Sequence, residues 1–163
     1  MPTTFSDADE YTCRLGKQIL QQHHPELVAV DLTVTYKFAR GPLKLHGYPA
    51  AAIIKITSYD QRSCHGADDV ILKIEESGWK EMTERQQLAL LRHEFFHLIL
   101  KRDKEGQPKL DDCGRPRLEM RLHDLVIGGF EQIVKEYGRD CQEAKMIEDV
   151  FRSKQVQGVL NWG

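Results

Sequence analysis

The spacing of apolar residues changes along the first half of the chain, and each change predicts the type of the next element. Apolar residues first recur with helical spacing and then alternate with polar residues, as they do in half-buried strands. The predicted elements are a helix over residues 6–22 that is capped by Ser6, and strands over 27–38, 50–57 and 69–75. The turn-rich stretch 40–49 and the polar stretch 58–66 connect the strands.

The second half of the chain has mainly helical spacing. Thr83 and Gln86 form a capping-box pattern at the start of the strongest predicted helix, which runs to about Lys101. Residues 108–121 predict a hairpin or an irregular excursion. Two further helices are predicted over residues 124–137, ending at Gly138, and over 140–154. This order of elements predicts the α+β class, with a small mixed or antiparallel sheet packed on the strong helix and further C-terminal helices.

Length and composition predict one globular domain. The 163 residues are 40% hydrophobic and 29% charged, which suffices for a buried core. We expect a single domain over residues 1–163, made of an N-terminal helix in 1–26, a core in 27–138 and a C-terminal helix and tail in 139–163.

Charge and cysteine content restrict the partners and the location. The formal net charge of −2 gives no general reason to expect a nucleic-acid or anionic-membrane partner. The chain has no apolar run of about 20 residues and no basic, apolar start typical of a secretory signal, so we expect a cytoplasmic protein. The cysteines are far apart and form no C-x-x-C pair, which favours free thiols: Cys13, Cys64, Cys113 and Cys141.

The candidate chemistry lies in the strong helix. His93, Glu94 and His97 form the pattern H-E-x-x-H. Residues four apart share one face of a helix, so both imidazoles can bind one ion, and the glutamate can act on a water at that ion. Nine of the thirteen residues from Leu88 to Leu100 are apolar, so the helix should be largely buried, and polar groups there need partners. The competing interpretation is a pair of hydrogen-bonded core histidines.

A catalytic zinc site usually has a third protein ligand. Three downstream residues are candidates: His123, Asp124 and Glu131. The helical spacing after His123 places Glu131 at the edge of the polar side, and Asp124 is well placed as a helix cap. Imidazole is the commonest metal ligand, so His123 is the favoured candidate while the other two stay open.

Several stretches together resemble the putative phage metallopeptidase family. They are the L-A-L-L-R-H-E-F-F-H-L run from Leu88, D-D-C-G-R-P-R-L from Asp111, His123-Asp124, P-A-A-A-I-I from Pro49, and A-D-D-V-I-L from Ala67 with Trp79. The resemblance implies a zincin-like fold, a phage or prophage origin, and a zinc ion bound by His93, His97 and His123. It also implies that the third strand, 69–75, is a candidate edge strand for an extended peptide substrate.

The residues and the resemblance together predict a zinc metallopeptidase that hydrolyses a peptide bond of a peptide or protein substrate. Glu94 would be the general base and would pass the proton to the leaving amine. Substrate-binding residues are not identified. Two alternatives remain: a regulatory or structural zinc protein without turnover, whose metal shell Asp124 or Cys113 completes, and a metal-dependent hydrolase of a non-peptide amide.

Overall fold

The computed structural model describes residues 2–124 and 129–152, and these form two compact units. The first unit ends at Leu122 and the second begins at His123. The described residues contain helices and a mixed sheet, which confirms the α+β class. The division into one domain over 1–163 stays a prediction. None of the described helices is long and apolar enough to cross a membrane.

The first unit contains all eight described strands and five helices. In chain order they are β1 (Thr4–Asp7), α1 (Glu10–His23), α2 (Pro25–Ala29), β2 (Val34–Arg40), β3 (Lys44–Leu45), β4 (Tyr48–Pro49), β5 (Ala52–Ile56), α3 (Tyr59–His65), β6 (Val70–Glu75), α4 (Glu76–Glu81), α5 (Glu84–Phe96), β7 (Leu98–Leu100) and β8 (Leu118–Met120).

The main sheet has the strand order β1-β2-β6-β5. β2 and β6 are parallel, whereas β1 pairs with β2 and β5 pairs with β6 in antiparallel fashion. β6 is therefore an interior strand, with both edges paired. The expectation that the third predicted strand receives a substrate at its edge is wrong, because β5 occupies the outer position.

The core lies between one face of this sheet and the helices α1 and α5. Val70, Leu72 and Ile74 alternate along β6 and are fully buried. α5 contacts both α1 and β5, and it buries Leu91 and Phe95 completely. The Thr83 hydroxyl accepts a hydrogen bond from the Gln86 N–H and the Gln86 side chain accepts one from the Thr83 N–H, which confirms the predicted capping box. The capping box that the sequence predicts is therefore the start of the helix that carries the H-E-x-x-H residues.

The first 66 residues differ from the predicted elements at three places. Residues 4–7 form β1, and Asp9 rather than Ser6 caps α1. Pro25 begins α2, so the next strand starts at Val34 instead of Leu27. The polar stretch 58–66 contains α3, which begins with a second capping box between Ser58 and Gln61. The strands predicted over 50–57 and 69–75 are confirmed as β5 and β6.

The strong helix is shorter than predicted. α5 ends at Phe96, and the residues predicted to continue it form β7, which pairs with β8. The three apolar residues of β7 satisfy a helical pattern as well as a strand pattern, and only pairing with a distant segment selects the strand. Two isolated bridges, Arg102 with Pro108 and Leu110 with Pro116, give residues 101–118 an extended, hairpin-like course. Of the two alternatives predicted for residues 108–121, the hairpin is therefore the one that the structure favours.

The second unit contains α6 (Glu131–Tyr137), a 3-10 turn (Gly138–Asp140) and α7 (Gln142–Arg152). Gly138 follows α6 with a φ of 55°, as predicted for a residue that ends a helix. The apolar side predicted for this helix is not a buried face in the described residues, since Phe130, Val134 and Tyr137 are exposed. The predicted positions Leu125, Val126, Ile127 and Lys154 lie outside the described residues.

Candidate metal centre

The H-E-x-x-H residues lie at the C-terminal end of α5. His97 caps this end and keeps right-handed helical angles, with φ of −66° and ψ of −19°, so the spacing of one helical turn from His93 is preserved. The two imidazole rings lie side by side, with centroids 5.0 Å apart and planes at 81°. Both rings therefore occupy the same end of the helix, as two ligands of one ion must.

Arg121 holds the end of α5 through its backbone and its side chain. Its N–H donates to the carbonyl of His97 over 2.6 Å, and its guanidinium lies 4.3 Å from the centre of the Phe96 ring. The carbonyl oxygen of Arg121 lies 2.8 Å from Nδ1 of His97. Because a carbonyl only accepts hydrogen bonds, Nδ1 must carry the proton, and the lone pair of the neutral ring then lies on Nε2. A carbonyl in this position is the usual outer partner of a metal-binding histidine.

Glu94 lies on the inner side of the same helical turn and is only 5% exposed. Its Oε2 accepts a hydrogen bond of 3.0 Å from the backbone N–H of Ile54 in β5. Burial raises the pKa of Glu94, and the neighbouring His97 and the Ile54 N–H offset part of this rise. The carboxylate is therefore held against β5 and away from bulk water.

His123 lies near the histidine pair because Arg121, two residues earlier, is hydrogen-bonded to His97. The ligand-capable atoms of His93, His97 and His123 lie within 4.8 Å of one another. Cys113, Asp124 and Glu131 are not members of this or any other such cluster among residues 2–124 and 129–152. Glu131 is exposed and forms an ion pair with Lys135, one turn further along α6.

The donor set suits zinc. Zinc binds imidazole nitrogens at about 2.0–2.1 Å and commonly takes three histidines plus an open position in catalytic sites. At this bond length, two ligand nitrogens on a tetrahedral zinc lie about 3.4 Å apart. The ligand atoms of the three histidines lie up to 4.8 Å apart, so small side-chain rotations would bring them to that spacing. Two of the three rings are exposed and the third is partly buried, which gives an ion access from solvent.

Two backbone groups of this centre escaped the sequence analysis. The Ile54 N–H orients Glu94, and the Arg121 carbonyl orients His97. Every residue except proline has both groups, so no residue type in the sequence marks them.

A comparison of the sequence with models of known protein families identifies the family of the chain. A family model described as putative phage metallopeptidase matches residues 3–153. The chain belongs to this family. The family description indicates a peptidase that uses a metal ion, and the match includes His93, His97 and His123. No curated protein and no solved structure matches the chain significantly.

Proposed function

We propose that the chain is a zinc-dependent peptidase of the H-E-x-x-H type, in which His93, His97 and His123 hold the metal and Glu94 is the general base. The observation that carries the proposal is the cluster of three histidines beside the buried Glu94 in a member of a metallopeptidase family. This donor set contains only imidazole nitrogens, and the Glu94 carboxylate is already held by β5. Glu94 is thereby assigned to proton transfer rather than to metal binding.

When bound, zinc would lower the pKa of a water molecule to about 7 and polarise the substrate carbonyl. Glu94 would take the proton at Oε1, because Oε2 is engaged with the Ile54 N–H. It would then give this proton to the leaving amine. The Arg121 carbonyl would keep the proton of His97 on Nδ1 and so preserve the metal-binding lone pair on Nε2.

The outer edge of β5 supports a peptide as the substrate. The N–H of Glu75 bonds to the Ala51 carbonyl, and the N–H of Thr57 bonds to the Asp69 carbonyl. Bonding alternates along an antiparallel pair, so the backbone groups of Ala52, Ile54 and Ile56 point away from β6. Because the Ile54 N–H already bonds to Glu94, an extended peptide that pairs with this edge by β-addition would bond to Ala52 or Ile56, next to Glu94. This site replaces the edge of β6 as the proposed place for the substrate backbone.

Metal analysis tests the ligand assignment. We expect about one zinc per chain in the wild type and in Glu131→Ala, and a loss of zinc in His123→Ala, since only His123 belongs to the cluster. Glu131→Ala is the matched control because it removes the competing candidate from an exposed position. A wild type without zinc after reconstitution, or zinc loss in the control alone, would contradict the assignment.

Glu94→Gln tests the base. This variant keeps the shape of the side chain and should retain zinc, but it should lose cleavage of a proteome-derived peptide library followed by mass spectrometry, because an amide does not accept the proton. Comparable cleavage by the wild type and the variant would refute the role of Glu94.

A further inference from the structure

The first unit has a cavity of about 490 Å³ at the C-terminal end of β5. Ile56 and Thr57 form its β5 side, and Tyr59 and Arg62 of α3 lie next to them. Its other side is formed by the segment 101–118, which leaves β7 and returns to β8. The cavity therefore lies next to the outer edge of the strand that orients Glu94.

Three cationic residues of this segment are joined in a closed ring of backbone hydrogen bonds. The N–H of Lys101 donates to the Arg117 carbonyl over 2.9 Å, that of Lys109 to the Lys101 carbonyl over 2.8 Å, and that of Arg117 to the Lys109 carbonyl over 2.8 Å. All three residues line the cavity, so the backbone concentrates three positive charges on one of its walls.

These charges are only partly neutralised by the protein. The Arg62 guanidinium bonds to the Asp111 carboxylate over 2.9 Å, and both side chains are nearly buried. Lys101 lies 3.7 Å from Glu119, in a pair that is about half exposed and therefore weak. Among the described residues, neither Lys109 nor Arg117 has a carboxylate within 4.0 Å. Asp112 is the one remaining acid among the described lining residues, so these residues carry an excess of positive charge.

The distance between the cavity and the candidate metal centre matches the spacing of side chains along an extended peptide. Ile56 follows Ile54, the partner of Glu94, by two residues, which is about 7 Å along a strand. Lys101 follows His97 by four residues, about 13 Å along β7. A peptide that pairs with β5 and presents its scissile bond to Glu94 would therefore place a side chain two or three residues away at the cavity.

We propose that this cavity is a specificity site that takes an aspartate or glutamate side chain of the substrate, two or three residues from the cleaved bond. Lys109 and Arg117 recognise the carboxylate, and Arg117 has the planar fork that bonds to both of its oxygens. The β5 edge supplies the backbone contacts that select a peptide over a small anion. This inference rests on the proposed peptidase function and adds the substrate class to it.

The experiment compares cleavage profiles of a proteome-derived peptide library. Lys109→Gln combined with Arg117→Gln removes the two cations of the lining that have no ion partner among the described residues. Both side chains are exposed, and their backbone bonds remain. Arg85→Gln combined with Lys104→Gln is the matched control, since it removes two exposed cations outside the cavity. For a peptide that the wild type cleaves, kcat/KM is then compared with that of its Glu→Gln or Asp→Asn analogue.

We expect acidic residues to be enriched at one position two or three residues from the cut, and the acid analogue to be preferred about tenfold or more. The cavity variant should lose this preference and the control should keep it. Cleavage by the wild type without acid enrichment, or enrichment that survives in the cavity variant, would overturn the specificity site and leave the peptidase function standing. No cleavage by zinc-loaded wild type would overturn both.

Discussion

Replacing Arg115 by leucine should lower the free energy of unfolding by about 2–3 kcal/mol. Arg115 anchors the segment 101–118 to the main sheet. Its Nε donates to one oxygen of Asp69 over 3.0 Å, and its Nη2 donates to the other over 2.5 Å and to the Asp31 carbonyl over 2.8 Å. The Asp69 side chain is 2% exposed, so it depends on protein donors in place of water. Leucine keeps the apolar part of the side chain and removes every donor.

The magnitude follows from the burial of the two partners. Breaking a fully buried ion pair by removing one partner costs about 3–5 kcal/mol, because the remaining charge is stranded. Two features reduce this cost. The Arg115 side chain is 30% exposed, and Asp69 keeps hydrogen bonds from the Thr33 N–H and hydroxyl after the change. We therefore place the loss near the lower end of that range or slightly below it.

Urea unfolding followed by circular dichroism would measure the loss, with Arg117→Leu as the matched control. Arg117 lies two residues away on the same segment, but its side chain is exposed and has no carboxylate within 4.0 Å among the described residues. We expect the control to change stability by less than about 0.5 kcal/mol. The same Arg115→Leu change should cost less in an Asp69→Asn background, where no charge is stranded. Equal losses for Arg115→Leu and Arg117→Leu, or equal costs in both backgrounds, would refute the reasoning.

Two further predictions concern the core and its pH dependence. Gly16→Ala should destabilise the chain even though alanine favours helices by about 1 kcal/mol, because the new Cβ would overlap the Tyr36 hydroxyl and lie 2.6 Å from its ring. Thermal unfolding would measure this, and a destabilisation that persists in a Tyr36→Ala background would contradict the proposed clash. Burial lowers the pKa of His24, with a partial offset from Glu26, so the unfolded chain binds a proton first as the pH falls below about 6.5. The free energy of unfolding should therefore decrease on acidification through this range. Urea unfolding at several pH values should show a smaller decrease for His24→Asn than for the wild type. Identical pH profiles would exclude His24 as the cause.

Elements that depend on local signals could be predicted from the sequence. The capping box at Thr83 and Gln86 defines the start of α5, and alternation of apolar residues defines β5 and β6. α3 was missed although it carries the same type of signal, since Ser58 and Gln61 form a second capping box. The pattern was present, but it lies in a polar stretch without an apolar face, where a loop was the simpler interpretation.

Elements that depend on distant partners could not be predicted in this way. β1 is four residues long and is defined by its pairing with β2, whose paired residues lie 30 to 36 positions later in the chain. β7 has a pattern that also fits the end of a helix, and its pairing with β8 decides between them. The interior position of β6 is likewise a property of strand order, which the sequence of β6 alone does not contain. The assignment of the substrate edge to β6 failed for this reason.

In the candidate metal centre, too, the local features could be predicted from the sequence and the distant contacts could not. The spacing of His93, Glu94 and His97 is a local property of one helix, so their common position could be inferred before the fold was known. What orients them is not local, because the partner of Glu94 is a backbone N–H 40 residues earlier and that of His97 is a backbone carbonyl 24 residues later. Any residue can supply that carbonyl, and any residue except proline can supply the N–H. The sequence can therefore name the candidate groups, while the fold alone determines which backbone atoms orient them.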